Sequence, residues 1–132
     1  MAEPQQTKPT SPENALFVCF GGMSNVGTLS GLAGLEVMRE VTPQKACIFC
    51  LGALPARTES VMGKTLNAQR IITVDGCAVN CARKIVEGAG FQPTRSITIE
   101  QDCGIKKGPS FSFSDEDVQT VKQAILDALG LS

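Results

Sequence analysis

The sequence predicts a single three-layer α/β domain, Rossmann-like or flavodoxin-like, built on a mainly parallel sheet of about four strands. Three observations predict it. Short apolar or β-branched runs alternate four times with stretches of helical periodicity, the pattern of successive β-α-β units. The first three runs stop at Gly21, Gly52 and Gly76, where strand would feed helix through a tight turn. Cys19, Cys50, Cys77 and Cys103 stand near the ends of the four runs at separations of 31, 27 and 26 residues, close to the ~30 of one β-α-β unit.

Taken in order, residues 1–13 carry Pro4, Pro9 and Pro12 among polar residues and read as a disordered leader outside the core. The domain then spans 14–132. Ala15–Phe20 is the first strand, and Val26–Val41 repeats Leu29, Leu32, Ala33 and Val37 at helical spacing. Lys45–Leu51 is the second strand, followed by a weaker helix over about 58–67. The third unit is the most marked. Ile71–Val74 is a β-branched strand that ends at Asp75-Gly76-Cys77. Ala78, Val79, Ala82, Ile85 and Val86 then predict a helix that starts at Cys77, with Cys81 one turn further along the same side. Ser96–Glu100 is the fourth strand, and residues 102–114 form a loop rich in Gly, Pro and Ser. Ser114 reads as the N-cap of a last helix with Asp115, Glu116 and Asp117 in its first turn.

Composition narrows the chemistry. Twelve basic and thirteen acidic residues leave a net charge of −1, with no basic footprint for nucleic acid or an acidic membrane. No stretch is long enough to span a bilayer. Residues 1–13 lack the apolar run of a signal peptide, so a reducing cytoplasm is expected, where clustered cysteines are metal-binding or catalytic more often than disulfide-bonded. The chain has six cysteines and no histidine, so a metal site here must rest on sulfur and oxygen.

In a sheet of order 2-1-3-4, the first strand has the second and third as neighbours at ~4.8 Å each. Cys19, Cys50 and Cys77 then converge beyond the carboxyl ends of the strands, and Cys81 reaches the same place from the helix start. Four thiolates are the closed set of a structural zinc site. A single buried Cys ordinarily packs as core; four at equivalent places point to a metal. Cys103 lies one strand further out as a reserve ligand, and Cys47, inside the strand, faces the other way into the core. Tetrahedral sulfur suits Zn²⁺ or an iron–sulfur cluster. Arg83, Lys84, Lys106 and Lys107 are the cations available to offset the charge of such a centre.

A thiol oxidoreductase or oxyanion reductase, with Cys19 as nucleophile, is the rival reading. A Cys ahead of the Gly-rich loop 21–27 suits it, but no Arg or Lys occurs between Cys19 and Gly34 to bind an oxyanion. Asp75 is either a cap for the following helix or a second partner of the metal site. A protein partner or a homodimer is left open.

The stretch Asp75-Gly76-Cys77 continuing to Lys84, the segment Cys19–Gly27 and the segment Asp102–Lys106 together resemble the zinc-binding family named for its Asp-Gly-Cys, or DGC, motif. The resemblance extends from about Leu16 to Leu129. It implies zinc binding through Cys19, Cys50, Cys77 and Cys81, the set reached from the strand ends. Cys103 stands where the resemblance leads one to expect an aliphatic residue.

Overall fold

The computed structural model describes residues 11–131, so residues 1–10 of the expected leader lie outside the described residues. Four parallel strands form one sheet: β1 (Asn14–Val18), β2 (Ala46–Ile48), β3 (Arg70–Asp75) and β4 (Arg95–Thr98). Their order is β2-β1-β3-β4, as expected. Leu16 is in register with Ile48 and with Ile72, and Val74 with both Val18 and Ile97. The helices are α1 (Asn25–Glu40), α2 (Glu59–Asn67), α3 (Cys81–Gly88), a single turn α4 (Ile99–Asp102) and α5 (Asp115–Ala128), with a 3₁₀ turn at Leu51–Ala53.

Alternation along the strands divides the core in two. Leu16, Val18, Ile72, Val74 and Ile97 point to one face, where Leu29, Ala33 and Val37 of α1 meet Val121 and Ile125 of α5. Ala15, Phe17 and Ile71 point to the other, against Phe49, Leu54 and Val86 of α3. This is the helix–sheet–helix sandwich that parallel β-α-β units require. Cys47 packs, partly buried, on this second face, as its place in the pleat predicts. No described helix is long and apolar enough to cross a membrane.

The amino edge of the sheet is closed by polar bonds. The backbone N–H of Glu13 donates to the Gln44 carbonyl, and that of Arg70 donates to the Glu13 carbonyl. The Arg70 guanidinium donates to the Ala128 carbonyl at the end of α5 at 2.8 Å, a place where a cation is favourable.

Two boundaries differ from expectation. β4 stops at Thr98, because residues 99–102 turn into α4 with Asp102 Oδ2 accepting from Thr98 N at 2.7 Å; the expected strand to Glu100 is two residues too long. More consequential is α3, which begins at Cys81 and not at Cys77. Residues 76–80 form a turn in which Asn80 N donates to the Cys77 carbonyl. Asn80 itself is left-handed, φ 54°, a conformation that Asn tolerates better than most residues. Ala78 and Val79 mimic helical periodicity but are exposed on this turn.

Candidate functional site: the thiol edge of the sheet

The carboxyl edge of the sheet is assembled by short-range constraints. Cys19 directly follows β1, and its N–H donates to the Val74 carbonyl at 2.9 Å, prolonging the β1–β3 ladder by one bond. Its own carbonyl accepts from the Ser30 hydroxyl of α1. The loop that follows is closed by Ser24, the N-cap of α1, whose Oγ accepts from Gly27 N at 3.1 Å. Gly27 is required there: a Cβ on it would stand 2.0 Å from the Gly21 carbonyl oxygen.

At β3, Asp75 is buried, and its carboxylate accepts from Ala82 N at 2.7 Å and from Arg83 N at 3.0 Å. It therefore serves as the cap of α3, across the turn from a helix whose nominal N-cap, Asn80, makes no side-chain cap bond. Asn80 instead accepts from the Thr98 hydroxyl at 2.8 Å. Burial pushes the Asp75 carboxyl up from its ordinary range, while the two N–H donors and the nearby Arg83 and Lys84 pull it back. Gly76 lets β3 touch the start of α1: a Cβ there would lie 2.7 Å from Gly27 N and from the Val26 carbonyl carbon. Each residue of the Asp-Gly-Cys triplet thus has its own task. The aspartate fixes the helix, the glycine permits the contact, and the cysteine presents its sulfur.

Of the four sequence-predicted ligands, Cys19, Cys77 and Cys81 gather around the ends of β1 and β3. Cys19 and Cys77 are half-buried and Cys81 is exposed at the first position of α3. Cys50 lies past the end of β2 at the head of the 3₁₀ turn and is exposed. Among the described residues, no three His, Cys, Asp or Glu side chains stand close enough to hold a metal ion. Cys103 ends α4 and packs against the main core beside Ile105 and Phe113.

The Cys19 thiol is pushed up first by burial. A bond from the Gly21 backbone lowers it, and Asp75, Cys81 and Cys77 raise it by repelling its thiolate. Cys103 is likewise pushed up by burial and then by Asp102. A thiol whose folded pKa is raised favours the fold below the unfolded value of about 8.5, and that contribution is lost as pH rises through the folded pKa. The metal-free protein should accordingly lose stability in that alkaline window. Iodoacetamide labelling followed by mass spectrometry from pH 7 to 10 should find Cys19 modified after Cys50 at pH 7 and accelerating only towards the alkaline end. Equal rates at pH 7 would contradict this environment.

The strongest polar clamp at this edge went unread in the sequence. Asn25, buried at the head of α1, donates through Nδ2 to the Lys106 carbonyl at 2.9 Å and the Ser112 carbonyl at 3.0 Å. Its Oδ1 accepts from Gly108 N at 2.7 Å, and its own N–H donates to the Gly108 carbonyl at 3.1 Å. Ser110 adds a hydroxyl bond to the Gly22 carbonyl at 2.6 Å. The loop over residues 103–114 is thereby fastened across the thiol edge, and of the four candidate cations only Lys107 has a side-chain bond to one of the thiols among the described residues: its Nζ donates to Cys77 Sγ at 3.6 Å.

Neither the comparison with curated proteins nor that with solved structures finds a match. The family model described as DGC domain matches residues 15–125, from β1 into α5. By the extent of that match, and with the Asp75-Gly76-Cys77 triplet at the hinge of its thiol edge, the chain belongs to the DGC domain family.

Proposed function

We propose that the protein holds one Zn²⁺ through the thiolates of Cys19, Cys50, Cys77 and Cys81, in a structural, sensing or metal-handling role. What supports this reading is that Cys19, Cys77 and Cys81, from the ends of β1 and β3 and the start of α3, lie near enough for Cys77 and Cys81 to act on the Cys19 thiol. The donor set fits the ion in kind, since it is all sulfur in a chain without histidine, and soft thiolates select zinc over hard cations. Closing the shell asks the exposed thiols of Cys50 and Cys81 to meet the half-buried ones of Cys19 and Cys77. The chemistry the ion supplies there is that of a closed site. With four thiolates and no open position, hydrolysis at the metal is disfavoured.

Two apolar clusters flank the sheet with none of the proposed ligands among their buried members, so the ion serves binding or transfer more than folding. A cytoplasmic setting, where thiols stay reduced, suits this role. The environment of Cys19 gives little support to the rival nucleophile reading, since burial and neighbouring acidic groups favour its protonated form.

Elemental analysis with thiol counting, on protein purified anaerobically without added metal, tests the proposal. About one zinc per chain is expected, lost in Cys19→Ser, Cys50→Ser, Cys77→Ser and Cys81→Ser and kept in Cys103→Ser. Chelation should leave the circular-dichroism spectrum of the α/β fold in place. Metal-free protein with a reversible disulfide at Cys19 would overturn the reading in favour of thiol chemistry, and brown protein containing iron and sulfide would overturn it in favour of a cluster.

A further inference from the structure

Four thiolates around one Zn²⁺ carry a net charge of about −2, and a site of that charge is stabilised by donors aimed at its sulfurs. The described thiols have several neighbours that repel negative charge: Asp75 beside Cys19, and the other cysteines. One cation reaches them. Lys107 Nζ donates to Cys77 Sγ at 3.6 Å.

The position of that lysine is not that of an ordinary surface side chain. Both flanks of its peptide are fixed by one buried residue, since Asn25 binds the Lys106 carbonyl on one side and both the N–H and the carbonyl of Gly108 on the other. A fourth bond, from Lys107 N to Glu100 Oε2 at 3.4 Å, ties the same segment to α4. Asn25 begins α1, immediately after its N-cap, and Gly76 holds α1 against the end of β3 that carries Cys77. The lysine and the sulfur it meets are therefore mounted on the same packed unit. Lys106, one residue away, shows no bond to a thiol among the described residues.

We propose that Lys107 is a positioning residue of the thiolate centre, whose ammonium, set by the Asn25-pinned loop, donates an N–H···S bond to Cys77 and offsets part of the charge of the metal-bound state. This rests on the zinc reading above. A charge-assisted donor withdraws density from the sulfur, so its effect is read both in affinity and in the electronic spectrum of the bound metal.

The test uses the full-length protein with Zn²⁺ in competition with a chromophoric chelator, and with Co²⁺ as a coloured substitute. Lys107→Met is expected to weaken Zn²⁺ binding about ten-fold, the low end for outer partners of a metal site because Lys107 is exposed. It should also move the thiolate-to-cobalt charge-transfer band to lower energy, since a sulfur without its hydrogen bond gives up an electron more readily. Lys107→Arg, which keeps a cationic donor, should recover most of both effects, and Lys106→Met, with the same loss of charge, should leave both near wild type. Wild-type affinity and spectrum in Lys107→Met, an equal loss in Lys106→Met, or a folded Lys107→Arg that recovers nothing would each overturn the inference while leaving the zinc site standing. Wild-type protein that takes up neither metal would overturn both.

Discussion

Gly27→Ala and Gly76→Ala are each expected to cost about 3 kcal/mol or more, or to prevent folding, because the added methyl group meets main chain that cannot yield. At Gly27 the new carbon would lie 2.0 Å from the Gly21 carbonyl oxygen, and at Gly76 it would lie 2.7 Å from Gly27 N. The two positions form one joint. The loop after β1, the first turn of α1 and the end of β3 meet there backbone to backbone, so relieving either clash displaces the other contact and carries Cys19 and Cys77 apart. Urea denaturation of the metal-free variants checks this. Gly88→Ala in α3 is the control, since nothing lies within 4 Å of a Cβ there. That substitution should stabilise by roughly 0.5–1 kcal/mol. An unchanged midpoint for Gly76→Ala would show that the contact between β3 and α1 is looser than described.

The second large effect is at Asp75. Replacing it with Ala leaves the N–H groups of Ala82 and Arg83 without their acceptors. The loss is expected to be about 2–3 kcal/mol, from a lost helix cap and from backbone donors left without partners. Asp75→Asn keeps one acceptor and should cost less. The pH dependence separates capping from charge. Burial raises the folded pKa of Asp75 above the unfolded value, so its contribution is fullest below the unfolded pKa of about 3.9 and falls as pH rises through the folded one. The gap between wild type and Asp75→Asn should therefore be wider at pH 3 than at pH 7. A gap that widens towards pH 7 would mean that the N–H donors outweigh burial. Because Cys81 is the first residue of α3, on the zinc reading proposed above either variant should also weaken metal binding by loosening the thiol that the helix carries.

How far the sequence reveals these features depends on whether the deciding interactions are local. The strand order and the thiols at the carboxyl edge were legible because β-branched runs, glycine stops and right-handed crossovers restrict the topology to few choices. The start of α5 was legible for the same reason. Ser114 and Asp117 form a capping box that closes within three residues. The start of α3 was not, because its cap comes from Asp75, seven residues before Ala82, across a turn whose Ala78 and Val79 imitate a helical face. Asn25 was beyond reach for a stronger reason. Its partners lie 81 to 87 residues away, and nothing in its own neighbourhood announces them. The choice of Lys107 over Arg83, Lys84 and Lys106 follows from that same distant contact.

That separation also sets an order of events during synthesis. A chain that emerges from its amino end has all four proposed ligands, and the three strands that carry or neighbour them, before residues 103–114 exist. Closing a loop of that length costs entropy that is recovered only once the rest of the sheet is in place. The Asn25 clamp is therefore a late contact, closed only after the residues that carry the four proposed ligands have been made. The same buried residue that completes the contact between α1 and this loop thus also sets the lysine over the thiol edge.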